Sequence, residues 1–254
     1  MASRRVIRVL DDLPAAPSPL DIGAADALLQ RASDGEVPET FQLAVPGRVV
    51  AFGRRDRLET GYPAAIAAAH DAGFAAIERI AGGRAAAFTE ATLSFTWTIP
   101  DPDPRVGIRA RFAALSSLMV GAFARLGIEA AVGEVPGEYC PGEFSVHHDG
   151  RLKLMGVGQR LARRAAHVGG VVVVDRADLV RDVLTGVYAA LEIPWRPETT
   201  GSLAVVQPGV TVEATRRAVL DELAQWAELR PGVIDAETLA LGAALAPRHL
   251  ATAR

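Results

Sequence analysis

Lys153-Leu154-Met155-Gly156-Val157-Gly158-Gln159-Arg160 is the stretch on which the fold class turns. Phe144 to His148 and Leu152 to Val157 read as two arms of a hairpin closed by Asp149-Gly150. With Leu152 and Leu154 turned inward, Lys153 takes the other side, and Gly156 and Gly158 leave strand backbone bare for close approach of a ligand. A two-residue turn would set Lys153 opposite Val146, with Cys140 roughly 20 Å further along a straight strand. The chain must therefore bend back if the two are to meet, and Pro141-Gly142 is where it can.

Outward from the hairpin, Val168 to Val174 is a β-branched run suited to a central strand. Phe41 to Val45, Val49 to Phe52, Ala75 to Ile80 and Leu93 to Ile99 also read as strands. Helical spacing is found over Asp21 to Arg31, Tyr62 to Ala72, Arg109 to Leu126 and Leu179 to Leu191. It returns over Val212 to Leu229 and Ala236 to Leu245. Helices and strands alternate, so the fold is predicted to be mixed α/β (α+β), a mixed β-sheet core flanked by helices. Residues 1–205 are expected to form a catalytic domain and 206–254 a small C-terminal helical appendage.

Of the 27 lysines and arginines in the 254 residues, only Lys153 is lysine, and Cys140 is the only cysteine. Where guanidinium is the default cation, the one compact, titratable ammonium marks a position at which chemistry is to be sought. A single cysteine forms no internal disulfide, which fits a reducing compartment. A net charge of −3 predicts no general attraction to nucleic acid or membrane. Locally, however, Arg151, Lys153, Arg160, Arg163 and Arg164 form a basic run with no acidic residue up to Val174, suited to an acidic partner. Arg4, Arg5 and Arg8 precede Val9-Leu10, but Asp11, Asp12 and Pro14 end that run before a signal-peptide core, and Val168 to Val174 is too short to cross a bilayer. A soluble cytoplasmic protein is expected.

A second motif, Arg79-Ile80-Ala81-Gly82-Gly83-Arg84-Ala85, follows a predicted strand. Paired glycines let backbone N–H groups approach a ligand, and flanking arginines favour a carboxylate, phosphate or phosphopantetheine. Neither the dinucleotide fingerprint nor the phosphate loop is present, since the first needs three spaced glycines entering a helix and the second Gly-Lys-Ser/Thr.

The two motifs, in this order, resemble the catalytic domain shared by biotin protein ligases, lipoate-protein ligases and lipoyl or octanoyl transferases. Arg79, Gly82, Gly83, Lys153, Gly156, Gln159, Arg160, His167 and Gly169 match the family pattern, as does Val49 to Arg54, a strand ending in Gly-Arg. The resemblance covers residues 20–205. Gly82-Gly83-Arg84-Ala85, with Cys140 and then Glu143 shortly before the Lys-x-x-Gly segment, is closest to the cysteine-dependent octanoyl and lipoyl transferases. Three positions depart from the pattern: Glu78 replaces an arginine, Ala81 a serine or threonine, and Phe88 a histidine. The pocket thereby suits a fatty-acyl chain and offers fewer hydrogen bonds to an adenylate.

The resemblance implies an acyltransferase in which Cys140 carries the acyl group as a thioester and Lys153 polarises the acyl carbonyl. Arg79, Gly82, Gly83, Arg84, Gly156, Gln159, Arg160 and His167 would bind substrate, with no metal and no cofactor beyond the octanoyl or lipoyl donor. The implied partners are acyl carrier protein and acidic lipoyl-domain proteins, either a 2-oxoacid dehydrogenase subunit or a glycine-cleavage carrier. His147, His148 or His167 would shuttle protons. The alternative is an ATP-dependent lipoate ligase using ATP and Mg²⁺, in which Cys140 is structural. An alternative of another class is a non-catalytic acyl- or carrier-protein-binding homologue.

Overall fold

The computed structural model describes residues 4–10 and 19–252. Eleven strands are found among them: β1 (Val6–Leu10), β2 (Thr40–Ala44), β3 (Val49–Phe52), β4 (Ala75–Glu78), β5 (Ala86–Phe88), β6 (Thr92–Pro100), β7 (Ala131–Val132), β8 (Val146–His148), β9 (Leu152–Leu161), β10 (Ala165–Val173) and β11 (Glu228–Pro231). The helices are α1 (Pro19–Asp34), α2 (Tyr62–Asp71), α3 (Ile108–Arg125), α4 (Ala177–Ala190), the short α5 (Leu203–Val206), α6 (Val212–Trp226) and α7 (Ala236–Leu245). Eight strands form one mixed sheet in the order β11-β1-β2-β6-β10-β9-β8-β7, and β4-β3-β5 make a smaller second sheet. The mixed α/β expectation holds. The break read at Asp11, Asp12 and Pro14 lies outside the described residues. No helix among the described residues is long and apolar enough to cross a membrane.

Alternation along the central strands supplies two buried faces. On one, Phe41, Leu43, Phe95, Trp97, Val168 and Val172 pack with Leu115, Leu118, Met119 and Phe123 of α3 and Val219 and Leu223 of α6. The second core joins the small sheet to α2 and α4 through Phe52, Tyr62, Ala87, Leu184 and Tyr188, and Tyr139 and Cys140 pack against it. Gly170 lets the central strands close up: a Cβ there would lie 1.9 Å from the Gly156 carbonyl oxygen.

Residues 206–254 are built into the fold rather than appended to it. The predicted helix 212–229 ends at Trp226, after which Glu228–Pro231 turns into β11 and pairs in parallel with β1 at the sheet edge. Edge pairing overrides a helical pattern that local spacing alone would continue. α7 packs along α1 and α6 along α3. Both start at side-chain caps: Thr211 accepts from the Ala214 amide at 3.1 Å, and Asp235 from the Thr238 amide at 2.9 Å.

The β8–β9 hairpin differs from the two-residue form. His148 pairs with Leu152 and His147 with Lys153, and an irregularity then sets Val146 opposite Met155. Asp149 and Gly150 both have positive φ. His147 Nδ1 accepts from the Gly150 amide at 3.0 Å, and His148 Nδ1 bonds the Glu129 carbonyl at 2.7 Å. His147 therefore braces the turn and His148 ties the hairpin to Glu129, before β7.

Candidate active site

Cys140 and Lys153 meet. Between β7 and β8 the chain folds back over β9, and Lys153 Nζ donates to the carbonyl oxygens of Tyr139 and Cys140, both at 2.9 Å. It also lies 3.1 Å from Glu138 Oε1 and 4.7 Å from the centre of the Tyr139 ring. Lys153 and Glu138 are both wholly buried. An ammonium has three N–H bonds, and these three acceptors account for them. The role expected for Lys153, polarising an acyl carbonyl directly, would require one of these bonds to be exchanged for a bond to substrate. It holds the backbone that carries the thiol. Gly156 serves the same end, because a Cβ there would lie 3.2 Å from Lys153 Cε; its bareness accommodates the lysine rather than a ligand.

The thiol faces the glycine loop. Cys140 Sγ accepts from Arg79 Nη2 at 3.0 Å and from the Arg84 amide at 3.3 Å. Arg79 Nη2 also donates to the Arg84 carbonyl at 2.6 Å, closing the loop on itself. Gly83, at φ 112°, makes this approach feasible: a Cβ there would be 2.1 Å from Arg79 Nη2 and 2.8 Å from Cys140 Sγ. Gly53 lies behind it, where a Cβ would strike the Gly83 carbonyl oxygen at 1.9 Å. Arg84 contributes its amide and not its charge, since its guanidinium is paired with Glu59 at 2.7 Å and Asp56 at 3.4 Å.

Cys140 has a φ of 43°, a left-handed conformation that costs a non-glycine residue about 1–3 kcal/mol. Its two peptide groups are gripped from opposite sides. The Cys140 amide donates to Tyr188 Oη at 2.7 Å, that hydroxyl donates to the Ala85 carbonyl at 3.0 Å, and the Cys140 carbonyl is held by Lys153. Pro141 next in the chain disfavours the ordinary helical conformation at residue 140.

Burial by itself pushes the Cys140 thiol up, but the charges of Arg79 and Lys153 and the N–H bonds from Arg84 and Arg79 outweigh it, so its pKa is held below the ordinary thiol value. A thiol so placed, lining an open cleft, has the surroundings a nucleophile requires. Tyr188 responds oppositely: burial and the thiolate's charge raise its phenol well above the usual range, keeping it protonated as a donor.

Two cavities adjoin the loop. One, of about 470 Å³, is an outer cleft lined by Gly82, Gly83, Cys140, Gly158, Phe112 and Phe144. Stacked Phe112 and Phe144 and the exposed Arg109–Glu143 pair form part of its wall. The other, of about 110 Å³, lies beneath the start of α1 and is lined by Ile22, Ala25, Val49, Ile77, Ala81, Phe88, Phe95 and Gly169, with Asp21, Gln42, Thr96 and His167 as polar members. Arg79 lines the inner cavity while touching the thiol of the outer one. Both cavities lie over a row of residues in register across the sheet, Gly158, Gly169, Thr96 and Gln42.

Of the remaining predicted residues, Gln159 lines the outer cleft with its side chain bonded to protein. Gln159 Oε1 accepts from Arg111 Nε at 2.9 Å, and its Nε2 donates to the Ile108 carbonyl at 3.2 Å; its side chain thus ties β9 to α3. Its carbonyl receives the Gly82 amide at 3.4 Å. Arg160, opposite His167 on the sheet, lines neither cavity. His167 lines the inner cavity, with Nδ1 buried and unpartnered among the described residues. Burial lowers its pKa to about 4, so it is neutral near pH 7. Burial raises Asp21 to about 6. Sequence reasoning did not single out Glu138 or Tyr188. The usable signal for Glu138 was that a buried lone lysine requires a carboxylate, and Glu138 stands two residues before the cysteine.

Residues 21–224 match the family described as the lipoyl protein ligase A/B catalytic domain. The chain belongs to this family. Among curated relatives, an octanoyl-[GcvH]:protein N-octanoyltransferase of Bacillus velezensis is 27% identical over 215 residues, covering 78% of this chain and 73% of the relative. Its namesake from Anoxybacillus flavithermus is 29% identical over 148 residues, 58% of this chain and 51% of the relative. Among solved structures, a lipoate-protein ligase A bound with ATP superposes with a TM-score of 0.73 at 16% identity, covering 99% of this chain and 97% of that one. A bipartite lipoate protein ligase from Thermoplasma acidophilum reaches 0.70 at 16% identity over 96% and 92% of the two chains. These two likenesses establish the fold.

Proposed function

We propose that this chain transfers an octanoyl or lipoyl group from a loaded carrier protein to a lysine of a lipoyl-domain protein, through a thioester on Cys140. The observation that carries the reading is the placement of Cys140 Sγ between the Arg79 guanidinium and the Arg84 amide, at the floor of the outer cleft. The thiolate attacks the donor's acyl carbonyl carbon, a C–S bond forms, and the donor group leaves with a proton. The acceptor lysine's neutral amine then attacks the same carbon, an amide forms, the amine proton is lost and the Cys140 thiolate departs. Of the Gly82, Gly83 and Arg84 amides, the first is given to the Gln159 carbonyl and the last to the thiol, so the Gly83 amide would bear part of the developing negative charge, worth about 3 kcal/mol.

The acyl chain has somewhere to lie. The row Gly158, Gly169, Thr96 and Gln42 crosses three strand spacings, about 14 Å, starting beneath the glycine loop. Gly158 lines the outer cleft and Gly169, Thr96 and Gln42 the inner cavity, and the distance exceeds that of an extended eight-carbon chain. The relatives' name supports octanoyl as the group and octanoyl-GcvH as the donor; acyl carrier protein, expected from sequence, is the second donor to test. The transfer needs neither nucleotide nor metal. Arg79, which would contact phosphate in a ligase, directs Nη2 at the thiol and the Arg84 carbonyl, and Ala81 and Phe88 bring no hydrogen bonds for an adenylate to the cavity.

Mass spectrometry after mixing with octanoyl-GcvH or octanoyl-acyl carrier protein should show one octanoyl group on the wild type, lost on hydroxylamine treatment and absent from Cys140→Ser. Failure to form the adduct, with consumption of ATP and free lipoate to modify a lipoyl domain, would establish the ligase instead. Binding of carrier without either reaction would establish the non-catalytic homologue.

A further inference from the structure

Glu138 has no part in the chemistry just described, yet its carboxylate is the hub of the segment that carries the thiol. Oε1 faces Lys153 Nζ at 3.1 Å and accepts from Ser145 Oγ at 2.7 Å and from the Gly142 amide at 3.0 Å. Oε2 accepts from the Val135 amide at 3.3 Å. One side chain thus links the strand β9, the residues before the cysteine and the turn after it. The Ser145 amide in turn donates to the Gly142 carbonyl at 2.9 Å, so the turn is closed on the side that Glu138 grips.

We propose that Glu138 is a positioning residue for Cys140: it fixes the Lys153 ammonium and the 142–145 turn in the arrangement that keeps residue 140 left-handed and its Sγ against Arg79 and the Arg84 amide. The physical reason lies in the geometry of Lys153. An ammonium on a four-carbon stem is mobile, and two carbonyl acceptors alone do not hold it in a dry site. A buried carboxylate adds the charge that keeps the ammonium inside and the third acceptor that fixes its rotation. With Lys153 fixed, the carbonyls of the two peptides on either side of Cys140 are fixed. Tyr188 then only has to hold the Cys140 amide to determine where the thiol points.

This inference rests on the reading that the Cys140 thiolate is the attacking group, but its test needs no acyl donor and can fail separately. The protein has one cysteine, so the rate of iodoacetamide alkylation against pH reports that thiolate alone. The charged and titratable groups around it are Arg79 and Arg84 of the glycine loop, Asp56 and Glu59 behind Arg84, Lys153 on β9, Tyr188 on α4, and Tyr139 and Glu138 of its own segment.

Glu138→Asp keeps the charge and shortens the reach, so the carboxylate cannot hold Lys153 and the Gly142 amide together. The expected result is a folded protein whose alkylation midpoint rises by about one pH unit, equal to about tenfold slower alkylation below the midpoint. A carboxylate that merely stabilised the fold would lower the unfolding midpoint and leave this profile in place. An unchanged or lowered alkylation midpoint in folded Glu138→Asp overturns the proposal. Should that variant not fold, Ser145→Ala removes only the hydroxyl that orients Oε1. A smaller rise in the same direction supports the positioning role, and no rise overturns it.

Discussion

Gly83→Ala tests the geometry around the thiol without removing any charge. The added Cβ would lie 2.1 Å from Arg79 Nη2, and an ordinary contact begins at 3.4 Å, so the guanidinium must withdraw by about 1.3 Å (3.4 − 2.1). That stretches the 3.0 Å bond to Cys140 Sγ beyond hydrogen-bonding range. A φ of 112° at this position also strains alanine, so the loop itself shifts in the same sense. Loss of a hydrogen bond to a charged group costs about 1.5–3 kcal/mol. At about 1.4 kcal/mol per pKa unit, the thiol should rise by roughly one to two units. The assay is alkylation of the sole cysteine across pH, with Arg79→Gln as the limiting case. Near neutral pH the variant should alkylate and form acyl-enzyme at least about tenfold more slowly, with far-ultraviolet circular dichroism unchanged. An alkylation midpoint equal to that of the wild type would refute the claim that Arg79, held by the glycine loop, stabilises the thiolate.

Three further expectations follow from the same geometry. Lys153→Met strands the enclosed Glu138 carboxylate and should cost about 3–5 kcal/mol in denaturant unfolding, with part recovered in the Glu138→Gln/Lys153→Met double variant; additive losses would disprove the pairing. His167 binds a proton more readily unfolded, near its ordinary 6.5, than folded, at about 4, so its contribution is present above 6.5 and lost as pH falls toward 4. It amounts to about 3 kcal/mol, and an acid-side unfolding profile unmoved by His167→Phe would contradict it. Arg163→Glu with Arg164→Glu, both on the exposed side of the basic run, should raise KM for a lipoyl-domain acceptor at low salt, and the difference should shrink as salt rises. Equal KM values at all salt concentrations would reduce those arginines to a solvated face.

Much of the core was legible because its pattern is local. β3, β6, β9 and β10 have period-two or β-branched runs, and α2, α3 and α4 have apolar spacing that survives without knowledge of neighbours. β1, β11, β5 and β7 were not legible. They are two to five residues long, and they are strands because another strand lies alongside. At the site, Lys153 and Cys140 stood out by rarity and the Gly82-Gly83 pair by composition. Gly156, Gln159 and Arg84 were read as ligand contacts because sequence shows a residue's type and not what already occupies its hydrogen bonds. In the folded chain Gly156 makes room for Lys153, the Gln159 side chain bonds Arg111 and Ile108 at the wall of the outer cleft, and the Arg84 guanidinium pairs with Asp56 and Glu59 while its amide holds the thiol.

The amino-acid sequence by itself determined the mixed α/β class, the family and the identity of the thiol, since each depends on residue types in a fixed order. Only the tertiary structure decided what the lone lysine does. Hydrogen-bond acceptors from Glu138, Tyr139 and Cys140 converge on Nζ from a segment that folds back over β9, and that convergence makes the lone ammonium the brace of a left-handed cysteine. The physical reason is that a buried ammonium satisfies its own N–H bonds first, and which acceptors are within hydrogen-bonding reach is a property of the folded chain alone.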